Sequence, residues 1–241
     1  MAQALLQVRD LHAGYGRAEV LTGLAFELPR GSVVTVIGPN GAGKSTTLNA
    51  LMGLLPARGQ IVFDGQDVAD TTLEERVMLG LALVPEKREL FGTMPVEDNL
   101  VLGGYRPMKL RMPDWRKGLE RVYGLFPRLK ERRAQLAVTL SGGERQMLAI
   151  GRALMAKPKL LMLDEPAAGL RHKEKQALAD VLRQLKSEGM SLLLVEHDME
   201  FVMGLTDRIV VMEFGTRLME GTPAEVQASP QVRAAYLGTE H

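Results

Sequence analysis

Three stretches hold residue types at spacings suited to chemistry on a phosphorylated ligand. The first is "GPNGAGKST", residues 38–46, which fits G-x-x-x-x-G-K-[ST] and lies between the apolar run "VVTVI" and a helical pattern. Gly38, Gly41 and Gly43 let the backbone turn so that successive N–H groups face phosphate oxygens, and the helix that follows adds its positive N-terminal end. Lys44 places a charge between β- and γ-phosphates, and Ser45 offers a hydroxyl to Mg²⁺. The expected nucleotide contacts are therefore Gly38, Pro39, Asn40, Gly41, Ala42, Gly43, Lys44, Ser45 and Thr46. Such a loop specifies a nucleotide and leaves open what its energy drives.

The second stretch is "LSGGERQ", residues 140–146. Ser141, Gly142 and Gly143 ahead of a helical run form a second anion-binding nest. They also read as a plain helix cap, with Ser141 at the N-cap and Glu144 completing a capping box, and both readings hold together. One nucleotide loop has no evident use for a second nest, so the economical solution sets this one against a nucleotide on another subunit. The third stretch, "LLMLDEPAAGLRHKE", residues 160–174, ends an apolar strand on two adjacent acids, Asp164 and Glu165. Uncompensated carboxylates are costly there. Successive side chains diverge at a strand end, so the two need not share a partner.

These segments need a frame. Short apolar runs alternate with amphipathic stretches, the pattern of βα units around a largely parallel sheet. Strands are expected at Leu5–Val8, Leu24–Leu28, Val33–Ile37, Gln60–Asp64, Leu81–Val84, Leu160–Leu163, Ser191–Val195, Ile209–Met212 and Arg217–Glu220. Helices are expected at Lys44–Gly53, Leu73–Leu79, Val96–Gly103, Pro113–Leu125, Gly142–Met155, Lys173–Glu188 and Met199–Leu205. Between about Pro85 and Lys157 the strand patterns vanish, which suggests a helical insertion into the α/β core. Near the end, Thr222, Pro223 and Glu225 spell a helix start through capping alone.

Composition excludes several classes. With 241 residues the chain can bury a substantial core, and a formal net charge of +1 makes the whole no polyanion binder. No apolar run approaches the roughly 18–20 residues of a membrane span. The start "MAQALLQVRD" has no charged n-region followed by an apolar h-region, so signal-peptide export is not expected. Zero cysteines exclude disulfides and thiolate metal sites, and four scattered histidines give a zinc site little to build with. The charge is uneven: residues 106–133 hold ten Lys/Arg against three Asp/Glu, leaving 20 basic against 26 acidic residues elsewhere. That basic stretch reads either as a solvated helical face or as a surface for lipid headgroups or acidic partner loops.

Taken together and in this order, the motifs resemble the ATP-binding subunits of ABC transporters, whose signature is LSGGQ; here Glu144 stands in place of the usual Gln. The likeness runs from Tyr15 to the tail. It implies an α/β fold: a RecA-like P-loop NTPase core with a mostly parallel sheet, antiparallel strands near the N-terminus and an inserted helical signature subdomain. The core is then residues 1–85 and 158–241, and the subdomain 86–157. It further implies a head-to-tail dimer, homo- or heteromeric, in which each ATP lies between Gly38–Thr46 of one chain and Ser141–Glu144 of the other.

By the same resemblance, Asp164 contacts Mg²⁺, Glu165 faces the water that attacks the γ-phosphate, His197 in "LLLVEHDM" contacts that phosphate and Tyr15 in "AGYG" stacks on adenine. Two positions depart from the pattern. Glu86 in "LVPEKREL" stands where relatives carry a Gln that touches Mg²⁺, and "AAGLR" puts Ala168 and Arg171 where polar residues communicate across the dimer. "VPEKRELFGTMPVEDNLVLGGY", "LFPRLKERRAQLAVTLSGGERQMLAIGRALM" and "AAYLG" resemble the ATPases of branched-chain (hydrophobic) amino-acid importers. Their implied partners are a second ATPase, two transmembrane permease subunits and, indirectly, a periplasmic solute-binding protein, with no nucleic acid. The implied place is the cytoplasmic face of the inner membrane. An ABC exporter ATPase, for lipids for instance, carries the same motifs; a soluble ABC protein acting on DNA or ribosomes is a third class.

Overall fold

Ten strands and eleven α-helices make up the described part of the chain in the computed structural model, which covers residues 4–237. It opens with β1 (Ala4–Tyr15), β2 (Ala18–Pro29), β3 (Val33–Ile37), α1 (Lys44–Met52), β4 (Ala57–Phe63), β5 (Gln66–Asp67), α2 (Leu73–Leu79) and β6 (Leu81–Val84). Helices alone follow: α3 (Val96–Gly103), α4 (Tyr105–Lys109), α5 (Lys117–Leu125), α6 (Pro127–Glu131) and α7 (Gly142–Met155), with a 3₁₀ turn before α7. Then come β7 (Leu160–Asp164), α8 (His172–Ser187), β8 (Ser191–Val195), α9 (Met199–Met203), β9 (Arg208–Glu213), β10 (Thr216–Gly221), α10 (Pro223–Ala228) and α11 (Pro230–Leu237).

The strands form two sheets. A six-stranded sheet has the order β10-β9-β3-β8-β7-β6, parallel except for β10, and a four-stranded antiparallel sheet has the order β2-β1-β4-β5. The parallel strands are continuous apolar runs because both faces are covered. In β7, Leu161 and Leu163 pack with the helical side, alongside Val96, Leu100, Val122, Leu148 and Leu182. Leu160 and Met162 point the other way, into a core shared with α1 and the antiparallel sheet. β8 divides likewise, Leu192 and Leu194 against Leu193 and Val195.

The structure corrects several sequence expectations. β1 and β2 are twelve residues each rather than four or five, because register shifts, one around left-handed Asp10 (φ 49°), break the two-residue alternation that marks a strand. α5 begins at Lys117 rather than Pro113, since Asp114 is left-handed (φ 54°) and cannot belong to a helix. α9 stops at Met203, ahead of Gly204, and α8 spans His172–Ser187 rather than Lys173–Glu188. Helices α4 and α6, five residues each, are too short to carry a visible period. The cap at α10 is as expected: Glu225 N–H donates to Thr222 Oγ1, and Thr222 N–H to Glu225 Oε2.

Candidate functional site

β3 is buried along its whole length and delivers the chain into the loop 38–43 at the C-terminal edge of the parallel sheet. Two glycines there are dictated by contact. A Cβ on Gly38 would lie 2.4 Å from Met212 O, and Gly43 is left-handed (φ 98°) with Leu21 Cδ2 2.7 Å from where its Cβ would stand. Gly215 N–H donates to Ala42 O and Thr22 N–H to Gly215 O, so the β9–β10 turn ties the loop to β2. Lys44 is buried, and its ammonium donates to Gly38 O (3.0 Å) and Pro39 O (3.2 Å), lying across the loop. The first N–H groups of α1, as at any helix start, have no partner within the helix.

Ser45 Oγ donates to Asp164 Oδ1 at 3.1 Å, joining the start of α1 to the end of β7. Burial is the main cause that pushes the Asp164 carboxyl up to about 6; the Ser45 hydrogen bond opposes it, the charges of Glu165 and Glu86 reinforce it, and Lys44 opposes it. One cation and three carboxylates leave this corner with an excess of negative charge. An oxygen-only donor pair in an over-negative pocket is the donor chemistry a hard divalent cation selects, so these residues fit Mg²⁺. Glu86 itself is exposed on the loop after β6.

Glu165 is left-handed (φ 47°), a strained conformation for a side-chain-bearing residue, held by its N–H donating to Val195 O at 2.9 Å. Its carboxylate lies 3.6 Å from Nδ1 of His197, whose side chain is 60% exposed. Between the two loops sits Glu196, fully buried, which accepts from Ala167 N–H (2.7 Å), His197 N–H (3.0 Å) and Asp198 N–H (3.2 Å). Sequence reasoning missed Glu196. Its signal was an acid closing an apolar strand with no charge opposite it in sequence.

Arg88 was missed as well. It and Glu89 are consecutive left-handed residues (φ 63° and 45°), and Arg152 of α7 donates to both their carbonyls, at 3.1 and 2.9 Å. So fixed, Arg88 donates to Gln146 Oε1 (2.6 Å) and Ala168 O (3.4 Å), linking the Glu86 loop, α7 and the loop after Glu165. These partners lie 58 and 80 residues away, beyond any local pattern.

Ser141 caps α7: Glu144 N–H donates to its Oγ (3.2 Å), and Ser141 N–H donates to Glu144 Oε2 (2.9 Å). Arg132 Nε pairs with Glu144 Oε1 at 2.8 Å. Gly142 faces open space, whereas a Cβ on Gly143 would lie 2.4 Å from Glu174 Oε1. Among the described residues no hydrogen bond joins 141–144 to 38–46 or 164–165, so the chain does not bring its two anion nests together. Arg171 is the N-cap of α8: its backbone N–H donates to Glu174 Oε2 (2.8 Å) and its side chain is exposed. Tyr15, half-exposed at the end of β1, lines a cleft of about 680 Å³ with His12, Glu19, Leu55 and Arg58, and none of residues 38–46 lines it.

Comparison with known proteins agrees with this arrangement. Residues 21–168 match the family "ABC transporter", and residues 216–241 match "Branched-chain amino acid ATP-binding cassette transporter". The chain is 44% identical over 225 residues to BraG of Pseudomonas aeruginosa, a high-affinity branched-chain amino acid transport ATP-binding protein, covering 93% of this chain and 95% of that one. LivG of Escherichia coli, named for the same transport role, is 35% identical over 253 residues, covering 99% of each. The ADP conformation of MJ1267, an ATP-binding cassette of an ABC transporter, superposes with a TM-score of 0.83 at 28% identity over 98% of this chain and 100% of that one. A chain that carries these motifs on this frame, over this length, belongs to the ABC transporter family as one of its ATP-binding cassettes.

Proposed function

We propose that this cassette is the ATP-hydrolysing motor of an importer for branched-chain or hydrophobic amino acids. The joint between Ser45 and Asp164 carries the ATPase reading, because it sets a hydroxyl and a carboxylate where a metal–triphosphate complex needs them. The 44% identity to BraG and the match of residues 216–241 support the cargo. Partners are a second cassette, two permease subunits and, through them, a periplasmic binding protein. The chain then works at the cytoplasmic face of the membrane, and no described helix is long and apolar enough to cross one.

The residues divide the work. Backbone N–H groups of 38–46 hold the β- and γ-phosphates, and Lys44 exchanges its carbonyl partners for phosphate oxygens. Ser45 and Asp164 would hold Mg²⁺, with Glu86 beside them; when bound, Mg²⁺ neutralises charge on the triphosphate. Glu165 orients the attacking water and accepts its proton, and His197 contacts the γ-phosphate across from it. Tyr15 stacks on adenine, while Ser141, Gly142, Gly143 and Glu144 close over the ATP of the partner cassette. Residues 86–157 act as the arm that reports this closure to the permeases, against a core of 1–85 and 158–241.

The test is reconstitution with permeases and binding protein in proteoliposomes. ATPase activity stimulated by leucine, isoleucine or valine supports the reading; stimulation by a lipid alone overturns the cargo. A Glu165→Gln variant that stays monomeric at saturating ATP with all partners present overturns the sandwich.

A further inference from the structure

The basic stretch has a structure that the ATPase reading does not use. α4 and the loop to α5 project Tyr105, Met108 and Leu110 at 51%, 51% and 47% exposure within six residues. Among and just after them are Lys109, Arg111 and Arg116, all exposed. Among the described residues these three cations make no ion pair and no side-chain hydrogen bond, while neighbouring Lys117 pairs with Asp114 and Arg121 with Glu188. Large apolar side chains exposed together on one short segment are a costly surface to leave in water, and the cations beside them add a local positive field.

The segment is held rigidly. Arg106 is buried beneath α4 and donates to Met78 O (3.0 Å), Ala156 O (3.1 Å) and Lys157 O (2.8 Å), fastening α4 to the C-terminal ends of α2 and α7. The Trp115 ring lies so close to Gly104 that a Cβ there would come within 2.3 Å, which folds the loop back onto the α3–α4 junction. Arg116 stacks over that ring at 5.4 Å. The segment also adjoins an apolar groove lined by Leu102, Gly103, Val77, Phe91 and Ala156.

We infer that residues 105–116 form an interfacial anchor for anionic phospholipid bilayers. Cations draw the segment to the headgroups, and Tyr105, Met108 and Leu110 enter the boundary between headgroup and chain, where amphipathic aromatics are favoured. A purely acidic protein loop would satisfy the cations but leave three large apolar side chains uncovered, so the bilayer is the better occupant. One such patch gives weak, reversible binding on its own. That this face points at the membrane in an assembled transporter rests on the function proposed above; the lipid affinity itself does not.

The experiment is co-sedimentation of the chain with vesicles of phosphatidylcholine alone and of an equimolar mixture with phosphatidylglycerol. Preferential, salt-sensitive binding to the anionic vesicles is expected. Lys109→Gln, Arg111→Gln and Arg116→Gln together should lower the partition coefficient roughly a hundredfold, at roughly fivefold for each cation near the surface. Tyr105→Ser, Met108→Ser and Leu110→Ser should weaken binding and leave its salt dependence in place. Both variants should keep the basal ATPase rate and melting temperature of the parent, since none of the six residues is in the core or at the nucleotide. Equal binding to both vesicle types, or a charge-depleted variant that binds like the parent, overturns the anchor. So does loss of co-purification with the permeases in detergent, which would assign the patch to a protein partner. Failure of the anchor with amino-acid-stimulated ATPase intact leaves the importer reading standing.

Discussion

In the proposed mechanism the acid-bearing end of β7 and the start of α7 both bear on phosphate, yet they are built on opposite principles. At β7 the chain concentrates carboxylates around a half-buried Asp164, raises its pKa to about 6 and bends Glu165 into a left-handed conformation. At α7 the side chains are satisfied, since Ser141 and Glu144 cap each other and Arg132 pairs with the acid, while the Gly142 and Gly143 N–H groups have no hydrogen-bond partner among the described residues. The first region carries an excess of negative charge that a cation would relieve, and the second is relaxed and rests open. A cassette that must fire only when complete keeps its strain where the chemistry is and its presenting surface quiet.

The sharpest way to break that contrast is at Glu165. Glu165→Gln removes the proposed proton acceptor and leaves the loop intact; steady-state phosphate release should fall by about 10²–10⁴-fold with ATP binding retained. Asp164→Asn tests that excess of charge directly. The folded pKa of Asp164 is raised from 3.8 to about 6, so the metal-free folded state binds the extra proton between those values. The stability this contributes is present below about pH 4 and lost as pH rises through about 6. At pH 7.5 without Mg²⁺ the Asn variant should therefore melt higher than the parent. After discounting for solvent screening the gain is about 1–2 kcal/mol, or roughly 2–6 °C. Adding Mg²⁺ and nucleotide should reverse the order, read by thermal denaturation.

Arg88→Ala cuts the link between the Glu86 loop, Gln146 and Ala168. It should cost about 1 kcal/mol of coupling, a roughly fivefold lower kcat with little change in KM for ATP, and Arg88→Lys should restore only part. Smallest of all, Glu144→Gln keeps the cap but loses the charge pair with Arg132, changing stability by less than about 0.5 kcal/mol by denaturant titration. A larger loss would mean that the α7 start is less relaxed than its hydrogen bonds indicate.

Much of this was legible because it is written in local spacing. The loop 38–46, the Asp164–Glu165 pair, the Ser141–Glu144 cap and the Thr222–Glu225 cap each lie within a few residues, where glycine freedom and capping act directly. What stayed hidden depends on distance or irregularity. The bulges of β1 and β2 erase the alternation, and Asp114 ends a helix pattern without a proline or glycine at that position. The Arg88 and Glu196 networks join loops that only the sheet brings together. Arg171 posed a question in sequence; its backbone is held by the α8 cap and its side chain points to solvent.

One apolar cluster holds Val96, Leu100 and Val122 of the helical stretch together with Leu161, Leu163 and Leu192 of the sheet. Because these side chains form one continuous apolar cluster across the boundary, the helical stretch is expected to move by sliding a short way over the strands, in shear and not as a swinging gate. Amide exchange would report this as shared protection: the deepest hydrogens of α7 and β7 should exchange together, through the same opening of the molecule, with no earlier release of the helical side.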